Sequence, residues 1–182
     1  LGMMYGMGVN KLSEQLDIDF DDAKSLIGQY HARVPFVKKL MNGVTQRLNE
    51  KSSSGSIRSI RGRKCRFDLW EPDTFSMNKA LPYKEALKEY GETTRLKRAY
   101  SYKALNRLIQ ASAADMTKQA MLNLYKEGVI PLIQIHDEIA VSVKDKNVAK
   151  DIATTMENAV KLEVPNKCDV DIGPSWGEAT SC

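Results

Sequence analysis

Residues 131–143 read PLIQIHDEIAVSV. Ile, Leu and Val alternate here as in a β-strand, and His136, Asp137 and Glu138 interrupt them. Ile133, Ile135, Asp137, Ile139, Val141 and Val143 share one parity, so an unbroken strand sends all of them to one face. A lone ionised acid on a buried apolar face costs several kcal/mol and needs a cation, a proton or a metal ion. The alternative is a hairpin with His136 and Asp137 at its turn. Two-residue turns favour Asn-Gly or other Gly-containing pairs, because they need positive φ, so His-Asp is a poor local choice. Either geometry breaks a local rule, and such breaks gather at functional sites. Asp137 and Glu138 also bring hard oxygen donors suited to Mg²⁺ or Mn²⁺. The plain structural reading of the same residues is a salt-bridged acid pair in a tight turn.

The rest of the chain gives this stretch a setting. Residues 1–16 have helical patterning despite glycines at 2, 6 and 8, which places residues 1, 5 and 8 on one face. A second helix starts at Asp19 as N-cap, with acids in its first turn. Pro35 ends it and opens a third that runs to about Asn49. KSSSGS breaks the pattern, and SIRSIRGRKCRF reads as a short hairpin around Arg61-Gly62. Residues 68–100 are punctuated by Pro72, Pro82 and Gly91, with YKEALKEYG as a short helix. From Ser101 to about Glu127 an apolar stripe of Leu105, Leu108, Ile109, Met116, Ala120 and Leu124 predicts a long helix stopped by Gly128. NVAKDIATTMENAVKL predicts another helix, with Ile152, Met156, Ala159 and Val160 inward, and KCDVDIG a closing strand. Helices first, then a lobe of helix, hairpin, helix and strand, define an α+β fold.

Composition removes several alternatives. Hydrophobic residues make up 42% and charged residues 27%, an ordinary globular balance that excludes a disordered chain. The net charge of +4 permits a polyanionic partner without requiring one. No apolar run approaches the roughly 20 residues that span a bilayer. Cys65, Cys168 and Cys182 are scattered and without CxxC, which fits a reducing cytoplasm and not a zinc site. With only His31 and His136, no GxxxxGK[ST] and no GxSxG, the chain lacks the parts of a histidine-rich hydrolase, a phosphate loop or a nucleophile elbow. It begins at Leu1 with no Met, and LGMMYGMG reads as if entered mid-element, so the N-terminus is read as a cut.

Two further groups suit nucleic acid. On the long helix Asn106 and Gln110 are four apart and share a stripe, with Tyr102 one turn earlier. Amides can reach the acceptors that every base pair presents in the minor groove, a contact suited to any sequence. Arg58, Arg61, Arg63, Lys64 and Arg66 cluster in the hairpin, and Arg95, Lys97 and Arg98 just before the long helix. Such cations suit phosphates, although each group taken alone also describes a solvated face.

Taken together, these stretches resemble the family A DNA polymerases. QIHDEIAVSV is similar to the family's third polymerase motif, LGMMYGMG to the end of its second, NRLIQASAAD to the helix leading into the palm hairpin, and GPSWGEA to its closing Trp segment. Residues 68–100 look more phage-like than bacterial.

The resemblance implies template-directed DNA synthesis, with nucleotidyl transfer from dNTP to a primer 3′-hydroxyl by a two-metal mechanism. Asp137 would be one of two carboxylates holding two Mg²⁺ ions, with Mn²⁺ as a substitute. Glu138 would assist nearby, as a secondary ligand or through water, and His136 would sit against the primer terminus. Tyr5 would close on the templating position, and Gly6 would leave room for the template base. Asn106 and Gln110 would touch the minor groove. Tyr102 stands where relatives carry Arg or His, so it brings no charge to that DNA contact. Arg63, Lys64, Lys97 and Arg98 are the phosphate candidates. Leu1 replaces the aromatic residue usual beside the incoming sugar, which implies discrimination against dideoxynucleotides. The family's phosphate-gripping Lys and Arg would lie one and two helical turns before Leu1, and its first motif, with the other metal-binding Asp, further upstream. The expected organisation is a fingers portion at 1–54, a basic hairpin and connecting insertion at 55–100, and a palm portion at 101–182. This stretch is expected to be weak or inactive alone. Its partners would be primer-template DNA and dNTP in the cytoplasm (the host's, for a phage protein), with no membrane and with any processivity factor unidentified. The rival reading is a noncatalytic nucleic-acid-binding module that keeps the palm fold. A purely structural α+β domain stands behind both.

Overall fold

The computed structural model describes every residue except Leu1, Gly6, Lys51, Phe75, Met77 and Cys182. The fold is α+β, in two compact units, Leu1–Gln110 and Ala111–Cys182.

The first unit opens differently from expectation. Gly2–Tyr5 forms a 3-10 turn, and helix α1 begins only at Val9 (Val9–Leu16). Gly8 is its extended N-cap, with φ −77° and ψ 162°. A glycine loses more backbone freedom in a helix than other residues, so the pattern breaks there. Tyr5 and Gly8 therefore do not share one continuous helical face. Helix α2 (Phe20–Arg33) starts as predicted: the Asp19 carboxylate accepts from the Asp22 N–H at 2.8 Å, with Asp21 and Asp22 in the first turn. Pro35 opens α3 (Pro35–Asn49), where its missing N–H costs nothing. Val37 and Leu48 form the buried side of α3.

Strands β1 (Ser56–Arg58) and β2 (Lys64–Arg66) form the predicted antiparallel hairpin, with Ile57 opposite Cys65. Its loop closes where the Gly62 N–H donates to the Ser59 carbonyl at 2.8 Å and Gly62 takes φ +84°. Ile57 packs on the core cluster of Leu48, Phe67 and Ala104.

A three-stranded antiparallel sheet follows, which sequence periodicity does not show. Its strands are β3 (Leu69–Pro72), β4 (Leu81–Pro82) and β5 (Leu96–Arg98), in the order β4-β3-β5. Strands of two to four residues are too short to display a period. Helix α4 (Tyr83–Tyr90), which ends at Gly91, joins β4 to β5.

Arg98 ties this unit together. Its Nε donates to the Leu48 carbonyl at 3.0 Å, Nη1 to the Phe67 carbonyl at 2.9 Å and Nη2 to the Ser53 carbonyl at 3.3 Å. Its backbone N–H donates to Asn49 Oδ1, and its guanidinium lies 4.5 Å from the centre of the Trp70 ring. Leu48 is in the last turn of α3, where carbonyls lack helical partners and a cation is favoured.

A 3-10 turn, Ser101–Lys103, leads into helix α5 (Ala104–Lys126). The helix ends in a Schellman pattern: the Val129 N–H donates to Leu124, the Gly128 N–H to Tyr125, and Gly128 takes φ +83°. In the second unit Ala120 and Leu124 of α5 are buried, as are Ala149, Ile152 and Val160. Strands β6 (Ile133–Ile135) and β7 (Glu138–Ala140) form a hairpin. Asp145 caps helix α6 (Lys146–Glu157) by accepting from the Asn147 and Val148 N–H groups. The helix ends three residues short of Val160, which is buried in the segment beyond it. The Cys168 N–H donates to Glu157 Oε1 at 3.0 Å. Burial, then the nearby Glu157 and Asp169 carboxylates, push the Cys168 thiol upward, so it stays protonated at neutral pH. Of the expected closing strand only β8 (Asp171–Ile172) pairs, with β9 (Thr180–Ser181).

Candidate functional site

The central stretch is a hairpin, not an unbroken strand. Ile135 pairs with Glu138 and Ile133 with Ala140, which leaves His136 and Asp137 as a two-residue turn. His136 takes φ +53°, and Asp137 is not among the positive-φ residues. This is the sign pattern of turns that prefer glycine at their first central position. Holding a non-glycine residue there costs of order 1–3 kcal/mol, and such strain clusters at active sites and ligand clamps. Asp137 is exposed at the turn instead of buried on an apolar face. The rule broken is therefore one of backbone conformation, not of desolvation.

The Asp137 and Glu138 carboxylates are both exposed, and neither meets a cation or a donor among the described residues, so they are not the salt-bridged pair of the plain reading. Two adjacent, free, hard-oxygen donors suit Mg²⁺, which binds through one or two carboxylates and completes its shell with water and substrate phosphate. Among the described residues no third acid, His or Cys joins them.

Leu1, Gly6 and the side chain of Tyr5 lie outside the described residues. Asn106 and Gln110 fall on the first two turns of α5. Gln110 is exposed. Asn106 is half-buried, and its Oδ1 is enclosed with no hydrogen-bond donor among the described residues. Tyr102 is 59% exposed in the preceding turn. The Lys103 ammonium lies 5.5 Å from its ring centre and 5.3 Å from that of Tyr100. Lys103 thus brings to Tyr102 the charge that the tyrosine lacks. Sequence reasoning passed over it; the signal was a Lys directly after Tyr100-Ser101-Tyr102 at a helix start.

In the hairpin β1–β2 three of the cations, Arg58, Lys64 and Arg66, share one face. Arg58 stands directly opposite Lys64, and Arg66 opposite Ser56, while Ile57 and Cys65 take the other face. Arg58, Arg63, Lys64 and Arg66 are exposed. Like charges directly opposite destabilise a hairpin, so this face suits a polyanion better than it suits folding alone.

The second basic cluster behaves otherwise. Lys97 Nζ and Arg95 Nε each lie 3.4 Å from the Asp73 carboxylate. Arg98, expected at phosphates, has its guanidinium donors on three backbone carbonyls and serves the fold.

Residues 1–178 match the family model for DNA polymerase family A, and the chain belongs to that family. It is 34% identical over 158 residues to a DNA-directed DNA polymerase of Pseudomonas phage M6, covering 87% of this chain and 20% of that protein. It is 28% identical over 185 residues to the thermostable DNA polymerase I of Thermus filiformis, covering 98% of this chain and 20% of that protein. It is also similar to the solved POL domain of Pol1 from M. smegmatis, in complex with DNA primer-template and dNTP. That match has a TM-score of 0.66 and 27% identity, over 90% of this chain and 27% of that one. The chain thus spans about a fifth of the length of these two curated relatives. Among the described residues no helix is long and apolar enough to cross a membrane.

Proposed function

We propose that this chain is the fingers-to-palm part of a polymerase that extends a DNA primer along a template, transferring a nucleotidyl group from dNTP to the primer 3′-hydroxyl. The observation that carries the reading is the strained turn at His136, which presents two free carboxylates in a member of this family. Asp137 and Glu138 would hold the divalent ions, Mg²⁺ or in its place Mn²⁺. When bound, such ions supply hydroxyl activation and neutralise charge on the leaving phosphates. The chain's own residues would do the rest. His136 abuts the primer terminus. Asn106 and Gln110 touch the minor groove of new base pairs, and Tyr102 with Lys103 meets the adjoining backbone. Tyr5 and Gly6 frame the templating base, and Leu1 lies by the incoming sugar. Arg63 and Lys64, with Arg58 and Arg66, lie along phosphates, and Lys97 contributes where Asp73 leaves its charge unspent. The solved relative, bound to primer-template and dNTP, supports these partners. The fingers and palm divisions at 1–54, 55–100 and 101–182, and the cytoplasmic setting, belong to the same proposal.

The noncatalytic module is the second reading, favoured by the absence of a third metal-ligating group beside Asp137 among the described residues. Primer extension by the full-length protein separates the two, since only the first predicts it.

The basic hairpin has its own test. Replacing Arg58, Lys64 and Arg66 together with Gln is expected to weaken duplex DNA binding. It should lower the slope of log affinity against log salt by about 2 to 3, at roughly 0.9 per lost phosphate contact. Thermal stability should change little, because removing the opposed like charges offsets the lost bond from Arg58 Nη1 to the Gly62 carbonyl at 2.8 Å. Fluorescence anisotropy across a salt series with a parallel melt reads both; an unchanged slope counts against the phosphate role.

A further inference from the structure

We propose that the outer face of α3 binds single-stranded DNA, at a surface separate from the basic hairpin. From Ala23 to Asn49 the sequence has no Asp or Glu, while Lys24, Arg33, Lys38, Lys39 and Arg47 are cationic. On α3 the buried side holds Val37 and Leu48. The exposed side carries two neighbouring stripes, Lys38-Asn42-Gln46 and Lys39-Gly43-Arg47, each spaced by four residues. None of its three cations meets an acid among the described residues.

Two shallow grooves follow these stripes. One passes over Lys38, Asn42 and Gln46 beside His31 and Pro35. The other joins Lys39 and Arg47 to Phe36, Leu40 and Val44. Phe36 is 66% exposed and Leu40 47%. A Cβ placed on Gly43 would meet nothing within 4 Å, so the centre of the face is open.

Cations that track a phosphate backbone, beside an exposed ring on which any base can stack, make a single-strand platform. The amides of Asn42 and Gln46 add donors and acceptors for unpaired base edges. A duplex hides its base faces from Phe36. A membrane surface would need a broad exposed apolar face, whereas the exposed apolar residues Phe36 and Leu40 are interleaved with Lys39, Gly43 and Arg47. An unpaired template stretch is such a strand; that identification rests on the polymerase reading, but the binding itself does not.

The test measures anisotropy of a labelled oligo-dT of about 20 nucleotides with the 182-residue chain, between about 50 and 200 mM salt. Circular dichroism confirms that each variant folds. The variant K38Q/K39Q/R47Q is expected to bind at least about tenfold more weakly, with a salt slope lower by about 2, at roughly 0.7 per contact on single strands. F36A is expected to bind about tenfold more weakly with its slope unchanged, since it removes stacking and no charge. Primer extension by the parent full-length protein is measured separately, so a failure of catalysis and a failure of this surface remain distinguishable. No binding by the parent, or binding within twofold of the parent by both α3 variants, overturns the proposal.

Discussion

Asp137→Asn is expected to reduce primer extension by the full-length protein at least about 10³-fold, while primer-template affinity stays within about threefold. The substitution keeps the size of the side chain and removes the charge that would hold a divalent ion. Metal ions contribute several kcal/mol to phosphoryl transfer, and each 1.36 kcal/mol is tenfold in rate. The carboxylate is exposed at the turn and has no protein partner among the described residues, so its replacement removes no described contact that supports the fold. Single-turnover extension and equilibrium DNA binding, measured side by side, check this. Equal loss of both would point to a structural role. Normal extension would remove Asp137 from the chemistry.

Arg98→Ala carries the largest expected loss of stability, about 3 to 5 kcal/mol. It leaves the Leu48, Phe67 and Ser53 carbonyls without their guanidinium donors at partly buried sites, and a hydrogen bond from a charged group contributes about 1.5–3 kcal/mol. Arg98→Lys should recover only part, because one ammonium cannot reproduce a planar fork that serves three acceptors. Gly55→Ala tests the same assembly from the other side. Gly55 has φ +66°, and a Cβ there would collide with the Arg98 guanidinium. Strain at positive φ and displacement of a held guanidinium together predict a loss of about 2 kcal/mol. Urea unfolding of the three variants measures all of this. A loss below about 1 kcal/mol for Arg98→Ala would show that the three hydrogen bonds contribute little.

Local signals announced much of this architecture. Asp19, Pro35, Gly91 and Gly128 mark helix ends because capping and backbone freedom are properties of single residues. The Arg61-Gly62 turn was legible for the same reason. The sheet of β3, β4 and β5 was not, since its pairs join residues far apart in sequence through very short strands. Arg98 was misjudged on similar grounds. A sequence displays a cationic cluster but not the carbonyls that surround one member of it. At the catalytic candidate the alternation of Ile and Val correctly signalled β structure, and only pairing could decide between strand and hairpin. The broken rule there proved to be a positive φ at His136, which residue types alone do not reveal.

The central claim is that the His136-Asp137 turn presents a metal-holding carboxylate for DNA synthesis. Electron paramagnetic resonance of Mn²⁺ titrated into the full-length protein with primer-template and a nonhydrolysable nucleotide tests it without relying on turnover. The account predicts about two tightly bound ions in the parent and at least one fewer, or about tenfold weaker, in Asp137→Asn. The same number of ions bound with the same affinity by both proteins would contradict it.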